Sequence, residues 1–144
     1  MEEITYEYVN HKSEIFKQVI DLRYKILFAP YSKIEKYEYD EKDSISLHLV
    51  ALDKGIVAGY SRMTNVNGEG EITNVVVNPK YINQGIGLKM MKTHISKAKE
   101  YSMTGLYLHA RLETVEFYKK VGFECKGEII ISKKSGLLLQ NMHL

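Results

Sequence analysis

Two kinds of hydrophobic spacing divide this 144-residue chain into helices and strands. Apolar residues recur every three or four positions in three segments, which predicts amphipathic helices. The first helix is expected to begin at an N-cap on Ser13 and to stop before Pro30. The second and third are expected at 85–101 and 114–121, and Gly122 would close the third as a left-handed residue.

Short apolar-rich runs bounded by turn residues predict the strands. They lie at 5–9, 46–52, 56–65, 71–77, 105–110, 124–131 and 137–143. Gly55 and Asn67-Gly68 supply hairpin turns, and the unbroken valine run at the end of 71–77 is typical of a strand buried on both faces. The charged, tyrosine-rich segment 31–43 is either a loop or one short irregular helix.

This order of elements is β-α-(α)-β-β-β-α-β-α-β-β. It predicts one mixed α/β (α+β) domain over residues 1–144, with a mostly antiparallel twisted sheet that contains a central parallel splay and is flanked by helices. No internal repeat or low-complexity linker divides the chain. We therefore expect a single domain.

Composition and charge narrow the class of protein further. The 20 Lys+Arg and 18 Asp+Glu give a net charge of +2, and the basic residues are spread along the chain, so we expect no nucleic-acid partner. No run approaches the ~18 apolar residues of a membrane span, so we expect no membrane association. Cys125 is the single cysteine, which favours a reducing, cytoplasmic setting, and no Cys/His spacing predicts a metal site.

The segment 75–88 carries the strongest chemical signal, because a strand passes through a glycine loop directly into a helix. Gly85 and Gly87 let the backbone approach a ligand, and free N–H groups at a helix start attract an anion such as a pyrophosphate. A plain tight turn is the alternative. The loop lacks the Lys-Ser/Thr of a P-loop and the third glycine of a dinucleotide fingerprint.

Two motifs resemble the GNAT superfamily of acyl-CoA N-acyltransferases. Segment 75–88 is similar to the family's strand, Gln/Arg-x-x-Gly-x-Gly/Ala loop and helix, and 113–123 is similar to its late helix, where a Phe-Tyr pair precedes a Gly-Phe turn. Segments 22–24 and 43–51 resemble, more loosely, a bacterial subgroup of predicted acetyltransferases. The chain departs from the motif at Ile82, where the family usually has Gln or Arg, so phosphate contacts would rest on backbone N–H groups.

The resemblance implies an acetyl-CoA-dependent N-acetyltransferase that acts on a primary amine by direct attack in a ternary complex. Tyr118 would protonate the departing sulfur, Glu71 would be the general base, and the backbone N–H of Val76 or Val77 would bind the thioester carbonyl. The residues expected to contact the coenzyme are Val75, Val76, Val77, Asn83, Gln84, Gly85, Ile86, Gly87, Leu88 and Tyr118.

Other residues admit two interpretations each. Glu71 could instead be an exposed hairpin charge; His48 could be a rival base or a structural histidine; and His109 could line the substrate cleft or support the fold. Glu38 and Asp40 could form an acceptor wall that attracts a cationic amine, or a solvated loop.

The sequence does not identify the acceptor, which could be a small-molecule amine or a protein amine. The alternative function is a catalytically idle acyl-CoA-binding sensor or interaction module, and a nucleotide-binding regulator would leave the Phe117-Tyr118 helix unexplained. The late strands at 124–131 and 137–143 could pair with a second copy, which leaves a homodimer open.

Overall fold

The structure is a computed structural model, and it describes residues 3–30, 40–133 and 136–144. Its strands are β1 (Thr5–Val9), β2 (Ser46–Asp53), β3 (Ile56–Val66), β4 (Glu69–Val77), β5 (Leu106–Arg111), β6 (Glu124–Cys125), β7 (Ile130–Ile131) and β8 (Leu138–His143). Its α-helices are α1 (Phe16–Arg23), α2 (Ile86–Glu100) and α3 (Val115–Val121). A π-helical turn, Tyr24–Phe28, extends α1, and 3-10 turns lie at Glu41–Ile45, Pro79–Tyr81 and Leu112–Thr114.

The strands form one sheet in the order β1-β2-β3-β4-β5-β8-β6, and β7 also pairs with β8. Every neighbouring pair is antiparallel except β4 and β5, which run parallel and pair only at Gly70 with Leu106 and at Glu71 with Tyr107. Because the later residues of these two strands do not pair with each other, the sheet opens between them. The expected mixed α/β fold with a central parallel splay is confirmed.

A β-bulge lies in β4 beside this opening. Tyr60 pairs with Val76 but Arg62 pairs with Thr73, so two residues of β4 lie opposite Ser61 alone. Asn74 is one of those two residues, and its φ is +55°. A bulge bends the strand that carries it, and asparagine is one of the few side chains that tolerate a positive φ. The bulge therefore changes the direction of β4 where the strand leaves β5.

The sheet packs against helices on both faces. One apolar cluster joins it to α2 and α3, and another joins it to α1. The expectation that the valine run is buried on both faces is correct only in part: Val76 is 2% exposed in the α1 cluster, whereas Val75 and Val77 are half-buried. Val75 and Val77 pack at the margin of the cluster that joins the sheet to α2 and α3.

Two local expectations need correction. Ser13 is not an N-cap, because its Oγ donates to the Asn10 carbonyl at 2.6 Å, and the helix begins only at Phe16 without a side-chain cap. The strand expected at 124–131 is divided into β6 and β7 around Gly127, whose φ is +77°. The Gln140 side-chain amide donates a hydrogen bond to the Gly127 carbonyl at 3.2 Å, so this backbone carbonyl has a partner where the strand is interrupted. Gly122 ends α3 as expected and has a positive φ of +124°, although its backbone lies outside the left-handed helical region.

Candidate active site

A cleft of about 770 Å³ lies in the opening between β4 and β5. Its described lining includes residues of β4, the second half of β5, the π-helical turn and α3. Glu71, Thr73 and Asn74 contribute from β4, His109 from β5 and Tyr118 from α3. The diverging strands thus bring side chains that are far apart in the sequence into one cavity.

Tyr118 is the most enclosed of these side chains, with 7% of its surface exposed. It packs edge to face against Phe117 at 5.0 Å and against Phe123 at 6.0 Å between ring centroids, so the Phe-Tyr and Gly-Phe parts of the motif hold one aromatic cluster together. Burial raises the pKa of Tyr118 to about 12, although the charge of Arg111 opposes the rise. The phenol therefore keeps its proton at neutral pH.

Glu71 also lines the cleft, and its side chain is 13% exposed. Its Oε1 lies 3.5 Å from the Lys42 ammonium, which belongs to the 3-10 turn before β2. The carboxylate is therefore an enclosed group of the cavity rather than an exposed hairpin charge. Lys42 holds it with a long, partly solvated ion pair that contributes little stability.

Asp40 lies at the cleft wall, and Glu38 is outside the described residues. The Asp40 Oδ2 is 3.1 Å from Nη1 of Arg62, which also donates to Asp43 at 2.9 Å. Burial disfavours the charged form of Asp40, but the Lys42 backbone N–H and the Arg62 guanidinium outweigh it and lower the pKa of the carboxyl. Asp40 is therefore an anion that already has a cationic partner.

The two candidate histidines occupy different places. His109 is exposed on β5 and lines the cleft. His48 is 2% exposed and lies between the Tyr60 hydroxyl and the Asp43 carbonyl, each 2.7 Å from one ring nitrogen. Desolvation lowers the pKa of His48 despite the Asp43 carbonyl. His48 is not among the residues that line the cleft, and both of its nitrogens are already engaged.

The glycine loop precedes α2 in the geometry of an anion site. Asn83 and Gly85 have φ values of +67° and +76°, and a Cβ at Gly85 would meet nothing within 4 Å. Gly85 is the N-cap of α2, and no side chain in the described part of the chain caps the helix. The first N–H groups of this 15-residue helix therefore have no side-chain acceptor among the described residues, and the positive end of the helix dipole lies at the same place.

The rest of the loop has more varied roles. A Cβ at Gly87 would lie 3.2 Å from Cζ of Phe117, so this glycine lets α3 pack closely against α2. The Ile86 side chain is 2% exposed in the core, which leaves only its backbone for a ligand. Asn83 and Gln84 are exposed, Leu88 is 37% exposed and Ile82 is 55% exposed. The departure from the family motif at Ile82 thus lies on the surface.

A buried ion network supports the cleft, and sequence reasoning did not find it. Arg23 is fully buried and donates through Nη1 to both carboxylate oxygens of Asp43 at 3.1 Å. Arg62 continues the network from Asp43 to Asp40, and its Nε donates to Thr73 Oγ1 at 3.0 Å. The signal was present, since 22–24 and 43–51 were the segments of looser family resemblance, and they contain Arg23 and Asp43.

The described residues hold neither a cluster of metal ligands nor a membrane-spanning helix. Across 3–30, 40–133 and 136–144 no group of three or more His, Cys, Asp or Glu side chains could hold a metal ion. Within the same ranges no helix combines the length and the apolar character that a membrane crossing needs.

This is an α/β protein with a cleft where its two parallel strands diverge, and the start of α2 at the glycine loop has a geometry that suits an anionic ligand. The family model described as the acetyltransferase (GNAT) domain matches residues 8–144. The chain therefore belongs to the GNAT acetyltransferase family, which transfers acyl groups to amines.

Similar proteins agree with this assignment. The chain is 26% identical to the uncharacterized N-acetyltransferase YjcF of Bacillus subtilis (strain 168), over 80% of this chain and 82% of that one. An acyl-CoA N-acyltransferase from Pseudomonas aeruginosa has the same fold, with a TM-score of 0.78, 20% identity, and coverage of 98% and 99%. The ribosomal-protein-S18-alanine N-acetyltransferase of Escherichia coli also shares it, with a TM-score of 0.74, 15% identity, and coverage of 99% and 93%.

Proposed function

We propose that this protein moves an acetyl group from acetyl-CoA to the primary amine of a small molecule or a protein. The observation that carries the proposal is that Glu71 and Tyr118 line one cleft, in the opening of the sheet. Glu71 can accept the proton that the amine loses, and Tyr118 can donate a hydrogen bond to the departing thiolate, which are two contributions that favour amide formation from a thioester.

The glycine loop fits the coenzyme's pyrophosphate. Open space at Gly85 lets phosphate oxygens approach the backbone, and the uncapped N–H groups at the start of α2 supply donors. The exposed side chains of Asn83 and Gln84 can add further donors. Backbone donors thus replace the long polar side chain that Ile82 lacks.

Glu71 is the group we assign to deprotonate the acceptor. A primary amine is mostly protonated at neutral pH, and it must lose a proton before or during attack on a carbonyl carbon. The enclosed Glu71 carboxylate can take that proton directly or through a water. His109, exposed on the neighbouring strand of the same cleft, is the alternative base.

Tyr118 is the group we assign to the departing sulfur. Its pKa of about 12 lies above the ~8.5 of an ordinary thiol, so the phenol stays protonated and donates a hydrogen bond to the developing thiolate. The aromatic packing around Tyr118 holds its ring in place. Tyr118→Phe keeps this packing and removes only the donor.

A thiol-release assay with acetyl-CoA and a panel of amines tests the proposal. The panel contains an aminoglycoside and a peptide with an N-terminal alanine, because structural neighbours are described as an aminoglycoside 6'-N-acetyltransferase complexed with coenzyme A and a ribosomal-protein-S18-alanine N-acetyltransferase. A polyamine is added as a further primary amine. We expect release with at least one amine, and a fall in kcat of about 10²-fold in Tyr118→Phe.

Tyr101→Phe is the matched control, since this tyrosine is 53% exposed at the end of α2 and does not line the cleft. Its kcat is expected to equal that of the wild type. Acetyl-CoA binding without release for any amine would support the idle sensor instead. Equal activity in Tyr118→Phe and Tyr101→Phe would remove Tyr118 from the mechanism.

A further inference from the structure

A lysine of this chain holds its ammonium against the carboxylate that we assign as the general base. Lys42 lines the cleft, and its Nζ lies 3.5 Å from Glu71 Oε1, a residue 29 positions away in the sequence. An acceptor amine enters such a site as an ammonium and must reach the same carboxylate to lose its proton. Among the described residues that line the cleft, Lys42 is the one that carries a primary amine. It therefore lies where an acceptor amine is expected.

Hydrogen bonds hold the backbone of Lys42, whereas its side chain has room to move. Asp40 Oδ1 accepts from the Lys42 backbone N–H at 2.9 Å, and Ser46 Oγ donates to the Lys42 carbonyl at 2.6 Å. The side chain is 52% exposed, and a partly solvated ion pair of 3.5 Å contributes little free energy. Nζ can therefore leave the carboxylate at small cost, while the anchored turn keeps it in the cavity where we place the acetyl group.

A purely structural ion pair is the alternative role for Lys42, and neighbouring contacts argue against it. Arg62 is 4% exposed and lies 2.9 Å from the buried Asp43, so the fold uses a short, enclosed arginine pair where it needs a structural one. The pair between Lys42 and Glu71 is longer and more exposed. A lysine also differs from an arginine in its chemistry, because its amine can lose a proton and be acetylated.

We propose that Lys42 Nζ is an acceptor of the acetyl group within its own chain, so that the protein acetylates itself at Lys42 when no external amine occupies the cleft. This inference rests on the proposed function, since it uses the same coenzyme and the same base. The amine and the thioester lie in one cavity, so the transfer is intramolecular and faster than attack by a lysine elsewhere on the surface.

The transfer balances as the acylation of one ammonium. Lys42 gives one proton to Glu71, which passes it to solvent, and the neutral Nζ forms a bond to the carbonyl carbon. The C–S bond breaks with its electron pair on sulfur, and the thiolate leaves with a hydrogen bond from Tyr118. The second proton that the nitrogen loses reaches the thiolate through solvent. The products are an acetylated lysine, coenzyme A with a free thiol, and one proton in solution.

Incubation of the purified protein with acetyl-CoA and no amine tests the proposal, with mass spectrometry of the whole protein and of its peptides. Lys119 is the internal control, because its side chain is 49% exposed and lies 3.9 Å from Glu116 but does not line the cleft. We expect Lys42 to gain an acetyl group at least about tenfold faster than Lys119. The rate per molecule should not depend on protein concentration, since the transfer stays within one chain.

Three changes separate catalysed transfer from ordinary lysine reactivity. Glu71→Gln should slow the acetylation of Lys42 about 10²-fold and leave that of Lys119 unchanged. Lys42→Arg keeps a positive charge beside Glu71 and should remove the rapid gain of mass. Acetyl phosphate, which lacks the pantetheine and nucleotide of the coenzyme, should modify Lys42 no faster than Lys119.

Equal rates at Lys42 and Lys119, the same preference for Lys42 with acetyl phosphate, or an unchanged Lys42 rate in Glu71→Gln would overturn the proposal. A rate that rises with protein concentration would also overturn it, because one chain would then be acetylating another. Thiol release with an external amine but no acetylation of Lys42 would overturn this inference and leave the proposed function in place. The absence of both reactions would overturn the proposed function as well.

Discussion

We expect His94 to make the stability of the folded protein sensitive to mild acid. It is fully buried on α2, where its Nε2 lies 2.7 Å from Ser61 Oγ and its Nδ1 lies 3.0 Å from the Tyr8 hydroxyl. Desolvation lowers the pKa of His94 from 6.5 to about 3. The unfolded chain therefore takes up a proton as the pH falls below about 6.5, whereas the folded chain does not until about pH 3. Since the unfolded state binds more protons in that window, stability falls with decreasing pH.

The size of the effect follows from the two pKa values. A pH of 5 lies about 1.5 below the pKa of this imidazole in the unfolded chain and still above its pKa in the folded protein. The difference corresponds to about 2 kcal/mol of stability lost through this residue. Urea unfolding at pH 7 and pH 5 measures it. His94→Gln removes the titrating group, so its free energy of unfolding should fall by about 2 kcal/mol less than that of the wild type over this interval.

Ser96→Ala is the control, because Ser96 is exposed on the same helix and does not titrate in this range. Its stability should fall between pH 7 and pH 5 as much as that of the wild type. His94→Gln will be less stable at both pH values, since a buried ring is replaced, but the comparison concerns the difference between them. An equal pH dependence in His94→Gln and the wild type would refute the assignment of a depressed pKa to His94.

Two further predictions concern stability. Arg62→Met should lower the free energy of unfolding by about 2–3 kcal/mol, because Asp43 is fully buried and, among the described residues, keeps only Arg23 as its charged partner; a urea midpoint within error of the wild type would contradict this. Gly59→Ala would bring a Cβ to 2.8 Å from Ile86 Cγ2, so it should destabilise by about 1–3 kcal/mol in thermal unfolding, and a melting temperature equal to the wild type would show that the start of α2 adjusts freely.

The fold could be predicted because local patterns encode it. Hairpin turns at Gly55 and Asn67-Gly68, and the helical spacing after Gly85, fix the order of the elements, and a strand–helix–strand unit requires one parallel pair. The helix start was wrong at Ser13, where a turn back to Asn10 competes with the cap. That competition depends on a few local hydrogen bonds that residue type alone does not decide.

The site could be predicted only where its residues belong to contiguous motifs. Tyr118 and the Gly85 loop are of this kind. Asn74 was missed because a bulge depends on the register between β3 and β4, which the pattern of one strand does not contain. His48 alternates with leucines as a solvent-facing residue would, but the α1 residue Phe16 packs over it with 4.8 Å between ring centroids. Whether a polar face is covered is a property of the tertiary structure.

The central claim is that the Gly85 loop and the cleft bind acetyl-CoA, and calorimetric titration of matched glycine variants tests it most directly. Gly85→Ala and Gly55→Ala introduce the same strain, since φ is +76° and +84°, and neither Cβ would meet an atom within 4 Å. We expect the wild type and Gly55→Ala to bind acetyl-CoA with equal affinity and Gly85→Ala to bind about tenfold or more weakly, because its Cβ occupies the space that we assign to phosphate. Equal affinity in all three proteins, or no binding by the wild type, would contradict the claim.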